Sequence, residues 1–236
     1  MEPDTFVGLD PKLTRTRIVR RYLTLPKYLD LLRSRTLYLC RADKFSDKFE
    51  GVMPATIQQA FLGSLPQADP KAWVDRTRRG NYVCCWNLSA QDNMALWQLY
   101  GGAAECVVVT STVERLIKCA VRWDRNLQVA PVRYFDLHKG PPRTFFLGNY
   151  QDLLRCKHTA YQYENEARLI VPYEGADWKS APPGLRLPID DPNDLIRSVV
   201  VAPEAQPWFF DLVEDITRRY GVKSPVRHSK LAYMPK

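Results

Sequence analysis

Apolar positions along this chain switch repeatedly between a period of two and a period near 3.6, so the pattern alternates strands with amphipathic helices. Residues 18–23 read as a first strand, after which Thr24 and Pro26 open a helix carrying Leu25, Tyr28, Leu29 and Leu32 at helical spacing. Residues 36–40, T-L-Y-L-C, return as a strand and run into a charged, aromatic loop at 41–51, R-A-D-K-F-S-D-K-F-E-G. Two short helices follow at 55–62 and 70–78, divided by G-S-L-P, and form a helical insertion over about residues 52–80. N-Y-V-C-C-W at 81–86 reads as a buried strand.

Beyond it, Ser89 and Asp92 stand at capping-box spacing before a helix whose buried side takes Met94, Trp97 and Tyr100, with Gly101 and Gly102 as its stop. Residues 105–110 form a strand, and Ser111 with Glu114 repeats the capping spacing for a helix bearing Val113, Leu116 and Ile117. A strand at 129–135, a Pro-rich loop at 140–143, a helix at 149–157 and a strand at 195–201 complete the middle of the chain. The clearest helix is the last: Pro207 starts it, Gly221 lies past its end, and Trp208, Phe209, Leu212, Val213, Ile216 and Tyr220 make its stripe. The sum is a single α+β domain over 1–236, with a core of about 18–230 and a curved, mixed, mostly antiparallel sheet flanked by helices.

Charge adds one bias to that picture. Lys and Arg number 34 against 26 Asp and Glu, a formal +8 that favours an anionic partner such as nucleic acid or a phosphate-bearing cofactor. The basic residues are scattered, so no nucleic-acid tail is present. No apolar run is long enough to span a membrane and no leader pattern opens the chain, which places the expected site of action in the cytoplasm. The six cysteines sit in apolar patterns without paired C-x-x-C spacing and read as reduced core residues.

The chemistry concentrates at 161–172, Y-Q-Y-E-N-E-A-R-L-I-V-P. Strand alternation from Tyr163 sets Tyr163, Ala167, Leu169 and Val171 on one face and Glu164, Glu166 and Arg168 on the other. Such a charged row is either a solvated strand face or one wall of a cleft, in which one carboxylate stabilises positive charge or takes a proton while its neighbour and the arginine set its orientation and pKa. In the loop, Asp43, Asp47 and Glu50 raise a second chemistry, a metal-dependent nuclease, although turn formation alone accounts for an Asp-rich loop. His138, His158 and His228 are too dispersed for a metal site or a triad. A third class is a non-enzymatic module that binds nucleic acid or a protein partner.

In motif order the chain resembles a bacterial family catalogued as a domain of unknown function. Its counterparts here are Arg21 and Tyr22 on the first strand, F-S-D-K-F-E-G at 45–51, C-W-N-L-S at 85–89, A-L-W-Q-L-Y-G at 95–101, and Lys157 with the run from Tyr163 to Ile170. Lys48 replaces the family's usual proline, which implies a less rigid loop. The layout is similar to that of ADP-ribosyltransferases, which implies a split sheet holding NAD and a glutamate that stabilises an oxocarbenium-like ribose as nicotinamide leaves. Carried over by motif, Glu166 and Glu164 would do the chemistry, and Arg21, Tyr22, Arg41, Asp47, Asn87, Ser89 and Arg168 would hold NAD, with no metal assigned. The acceptor stays open between protein, nucleic acid and water, and a toxin or phage-defence effector is the implied setting. Structural roles compete for several of these residues: Arg21 as a sheet-edge cap, Ser89 as a helix cap, and Trp97 and Tyr100 as core.

Overall fold

In the computed structural model, which describes residues 7–233 except 48, 65, 68, 124 and 141–149, a large sheet divides at one strand, and that division opens the site. In chain order the elements begin with β1 (Val7–Leu9), β2 (Ile18–Thr24), α1 (Leu25–Ser34) and β3 (Thr36–Arg41). They continue with α2 (Ala55–Ser64), α3 (Pro70–Arg79), β4 (Asn81–Asn87), α4 (Met94–Gly101), β5 (Cys106–Thr112) and α5 (Val113–Val121). The second half carries β6 (Leu127–Pro131), β7 (Arg133–Phe135), β8 (Cys156–His158), β9 (Glu166–Pro172) and β10 (Gly184–Pro188). It closes with α6 (Pro192–Leu195), β11 (Ser198–Val201), α7 (Pro207–Arg219) and β12 (Val226–His228).

The main sheet runs β1-β6-β9-β4 and then divides. Near its start β4 pairs with β3, Cys40 opposite Val83, and β3 pairs onward with β10. At its end β4 pairs instead with β2, Arg20 opposite Asn87, and β2 leads to β5, β11 and β12. Two strands thus share one edge of β4 and diverge between those points, as an edge can give its hydrogen bonds to only one neighbour at each position. The fold is mixed and mostly antiparallel: β1 with β6, β11 with β12, and the separate pair β7 with β8 are parallel.

One face of the sheet carries the main core, where Val19, Leu23, Leu39, Cys84, Trp86, Val107, Val109 and Leu169 meet Tyr28 and Leu32 of α1, Leu116 of α5, and Phe209 and Val213 of α7. The other face holds a smaller core of Tyr22, Val108 and Cys106 under Leu96 and Trp97 of α4. Beside it, Val83 and Ile170 pack with Leu154 and Ala42. The six cysteines are free.

Several local expectations are corrected. Residues 159–164 form a 3-10 helix, Asn165 takes a left-handed φ of 40°, and the strand begins only at Glu166, so the alternation does not reach back to Tyr163 and Glu164. β9 lies between β4 and β6 and is buried on both faces, where a half-buried strand was expected. Asn93, not Ser89, caps α4 by accepting from the Ala95 N–H at 2.8 Å. Met94 and Tyr100 are exposed, and Trp97 alone of the expected stripe is fully buried. Thr112, not Ser111, caps α5, while the Ser111 hydroxyl donates to the Leu195 carbonyl at 2.6 Å.

The strand expected at 129–135 breaks at Val132, whose N–H donates to the Glu166 carbonyl at 2.8 Å, and its halves join different sheets. The segment expected as a helix at 149–157 is a 3-10 helix at Tyr150–Arg155 followed by β8; position 149, like Lys48 and residues 141–143 of the Pro-rich loop, lies outside the described residues. The strand expected at 195–201 begins at Ser198, after the one-turn helix α6. On α7 Trp208 and Leu212 are exposed, so the buried stripe is narrower than the apolar one.

Candidate active site

Between the diverging β2 and β3 lies a cleft of about 640 Å³, floored by β4 and by the start of β9. That volume is within the range of about 300–1,000 Å³ typical of small-molecule sites. Val83, Cys85 and Asn87 contribute from β4, and Glu164 and Glu166 stand at its base. Tyr22, Tyr38, Trp86 and Tyr100 supply aromatic surface, and Arg20, Arg21, Lys27, Lys44 and Arg186 supply positive charge.

The register explains why the carboxylates are here. Glu166 is the first residue of β9, opposite Asn87 on β4, at the end of the ladder where β2 takes over from β3. The left-handed turn at Asn165 folds Glu164 back beside it, and the Asn87 amide fixes that turn by donating to the Glu164 carbonyl at 2.5 Å. Asn87 also accepts from the Ser89 N–H at 3.0 Å. The backbone N–H of Glu166 donates to the Tyr134 hydroxyl at 2.8 Å.

Lys157 on β8 joins the two carboxylates. Its Nζ donates to Glu164 Oε2 at 2.5 Å and to Glu166 Oε1 at 2.6 Å, and it lies 4.7 Å from the centroid of the Tyr161 ring. The second oxygen of Glu166 accepts from Arg168 Nε at 2.8 Å. Arg168, 1% exposed, turns its other nitrogens to both oxygens of Glu50 and to the Leu154 carbonyl. A buried chain of charge therefore runs Glu164, Lys157, Glu166, Arg168, Glu50.

These contacts drive the two glutamates apart electrically. Burial pushes Glu164 up to about 7, reinforced by the neighbouring Glu166 as hydrogen-bond partner and as charge, and Lys157 only partly opposes this. Burial acts on Glu166 in the same direction, but the Arg168 charge, Glu164 and Lys157 overcome it and hold Glu166 well below the usual carboxylate range. At neutral pH Glu166 is a permanent anion, while Glu164 exchanges its proton near the ambient pH. Two carboxyls with separated pKa values divide the roles of charge stabiliser and proton acceptor.

The cleft also shifts its other titratable groups. Burial pushes Tyr22 up to about 12, and its hydroxyl accepts from the Asn93 N–H at 2.8 Å. Tyr100 is exposed over part of its surface, but its phenol turns into the cleft, where burial and then the nearby Glu164 raise it, and its ring stacks 6.2 Å from that of Tyr22. Burial and then Glu166 keep the Cys85 thiol protonated, so it is no nucleophile. Arg21 donates to the Tyr38 carbonyl at 3.0 Å and lies 6.0 Å from the Trp86 ring, leaving donors toward the cleft.

Of the residues singled out in the sequence, Glu164, Glu166, Arg21, Tyr22 and Asn87 line this cleft, and Arg41, Asp47, Ser89 and Arg168 do not. Arg41 is committed to Asp43 and to the Ala181 carbonyl. Asp47 accepts from the Phe49 N–H at 2.9 Å, a turn contact. The Ser89 carbonyl accepts from Arg20, and its side chain meets Asn165 at 3.5 Å. Arg168 stands behind Glu166 as its support.

The loop at 41–51 divides likewise. Lys44, Phe45 and Ser46 line the cleft, whereas Asp43 pairs with Arg41 and Glu50 with Arg168. Asp47 makes the turn contact with Phe49, and among the described residues no group of three or more His, Cys, Asp or Glu is placed to hold a metal ion.

Sequence reasoning left Lys157, Tyr38 and Arg186 outside the site. The signal for Lys157 was its position nine residues before Glu166 in the quoted motif; Tyr38 and Arg186 sit on strands whose partnership, β3 with β10, no local pattern reveals.

No family model and no curated protein matches the chain. Among solved structures it is similar to Thermus sp. 2.9 DarT in complex with NAD+, at 11% identity and a TM-score of 0.45, over 94% of this chain and 100% of that one. DarT in complex with ADP-ribosylated ssDNA matches at 12% identity and a TM-score of 0.44, over 94% and 98% of the two chains. At that level of superposition the likeness assigns no residue a role.

Proposed function

We propose that the protein is an NAD-dependent enzyme of the ADP-ribosyltransferase kind, acting in the cleft between β2 and β3. The observation that carries this reading is the pair Glu166 and Glu164, one held ionised and the other poised near 7, at the base of a cleft walled by aromatic rings and cations. The sequence resemblance points to the same chemistry.

In this reading the bond between the ribose C1′ and the nicotinamide nitrogen breaks, and its electron pair leaves with the neutral nicotinamide. Positive charge develops on the ribose, and the fixed Glu166 carboxylate stabilises it. Lys157 and Arg168 hold that carboxylate before the reaction starts, so no reorganisation is needed as the charge appears. Arg20 and Arg21 offer donors to the diphosphate, and Tyr22, Tyr38 and Tyr100 offer ring faces. An acceptor nucleophile then bonds to C1′ and passes its proton to ionised Glu164. Protein, nucleic acid and water all supply such a nucleophile, and the +8 charge leans toward nucleic acid.

The test is incubation with NAD labelled in the nicotinamide and in the adenosine, with candidate acceptors, comparing wild type with Glu166→Gln. Nicotinamide release should fall about 10²- to 10³-fold in the variant, as when one preorganised charge-stabilising group is removed. If wild type neither binds NAD nor releases nicotinamide, the reading is abandoned. Equal turnover by the two proteins would remove Glu166 from the mechanism.

A further inference from the structure

Among the described residues, Lys157 is the one cation paired with both carboxyls of the cleft, and no step above requires it to meet substrate. It is 6% exposed and sits on a three-residue strand whose partner, β7, is likewise only three residues long. Placing an ammonium there is costly unless its donors are used, and two of them end on Glu164 and Glu166 at 2.5 and 2.6 Å.

The charge chain gives it a defined task. Lys157 and Arg168 are two cations set against three carboxyls, Glu164, Glu166 and Glu50. The chain is electrically balanced with Glu164 protonated and carries one excess negative charge when Glu164 ionises. Arg168 is joined to Glu166 and Glu50 and makes no contact with Glu164, so Lys157 is the cation that bears directly on the Glu164 proton. The other groups facing this point are the hydroxyls of Tyr100, Tyr134, Tyr161 and Tyr163 and the Cys85 thiol, all of them pushed up and therefore neutral near pH 7.

We propose that Lys157 is a positioning residue that bridges Glu164 and Glu166, holding the two carboxyls at one spacing and setting its positive charge directly against the Glu164 carboxyl. It acts through the glutamates and does not touch substrate. The proposal rests on the reading of the cleft given above for its kinetic consequence, but not for its effect on the carboxyls.

Two measurements on the substrate-free protein test it without reference to NAD. In wild type with ¹⁵N-labelled lysine, one ammonium resonance should shift with pH at the same midpoint as a ¹³C-labelled glutamate carboxyl titrating near 7. Absence of any lysine resonance following that midpoint overturns the proposal, whether or not any variant folds. In Lys157→Met the Glu164 midpoint should rise by more than about one unit, since the opposing cation is gone, whereas Lys157→Arg should return it toward the wild-type value. A folded Lys157→Met with an unchanged midpoint, or Lys157→Arg indistinguishable from Lys157→Met, overturns it as well.

For nicotinamide release, the acid limb should move to higher pH in Lys157→Met, with the loss mainly in kcat and partial rescue by Lys157→Arg. If wild type releases no nicotinamide, the NAD reading fails while the carboxyl titrations still decide the role of Lys157. If wild type is active and Lys157→Met keeps the wild-type pH profile, the positioning role fails and the NAD reading stands.

Discussion

Replacing Arg168 with Met should be among the most damaging single changes in the molecule. The methionine fills much of the volume of the arginine stem, so the perturbation is mainly electrostatic. Arg168 is 1% exposed and satisfies one oxygen of Glu166, both oxygens of Glu50 and the Leu154 carbonyl. Without it Glu166 retains Lys157, but Glu50, 2% exposed, loses both charge-assisted bonds. Removing one partner of a buried ion pair costs about 3–5 kcal/mol, since the other charge is left in a medium that cannot solvate it. For a chain of this size each kcal/mol moves Tm by roughly 2–4 °C, so a fall of about 6–20 °C is expected. Urea unfolding at pH 7, followed by circular dichroism, measures the loss directly. Glu50→Gln combined with Arg168→Met should recover at least about 1 kcal/mol relative to additivity, because the stranded charge is then gone. Arg168→Met within about 1 kcal/mol of wild type, at unchanged m-value, would refute the account of a charge chain stabilised by mutual pairing.

Two further outcomes follow from the same contacts. Trp97→Ala should cost about 3–5 kcal/mol in urea unfolding, as the ring is fully buried under α4, edge-on to Tyr22 at 5.0 Å; near-native stability would show that the small core does not depend on it. Glu164 should make the protein less stable as pH rises from about 4.5 to about 7, because over that window the folded state keeps a proton that the unfolded chain has already lost. Glu166, held low, acts oppositely and below that window, adding stability above its unfolded pKa that is lost on acidification. Comparing urea midpoints at pH 5 and pH 8 should show a smaller decline in Glu164→Gln than in wild type, and identical declines would remove Glu164 as the group responsible.

What the sequence determined by itself was whatever depends on neighbours along the chain. The short apolar runs at 18–23, 36–40 and 81–86 became β2, β3 and β4, being rich in β-branched and aromatic residues and too short for buried helices. Pro26 and Pro207 sit in the first turns of α1 and α7, and Gly221, at φ 76°, ends the last helix where only a residue without Cβ is unstrained. The pairing of Glu164 with Glu166 was also legible, although for a reason the sequence misplaced: a left-handed turn at Asn165 joins them, not a shared strand face.

Tertiary structure decided the rest. Spacing alone could not separate Ser89 from Asn93 as the cap of α4, because a capping oxygen is chosen by where the incoming chain places its φ and ψ, and that entry is set by the Asn93 N–H bonded to the Tyr22 hydroxyl on a distant strand. Nor could it distribute the arginines. Arg21, Arg41 and Arg168 have the same chemistry in sequence, but Arg21 faces the cleft while Arg41 and Arg168 are consumed by Asp43, Glu50 and Glu166. The cleft itself exists because β4 changes partner from β3 to β2 along one edge, and Glu164 is raised because the turn at Asn165 buries it beside Glu166, with Lys157 of β8 only partly opposing. Burial and charge pairing act through space at a few ångströms, across separations in sequence that no local pattern encodes.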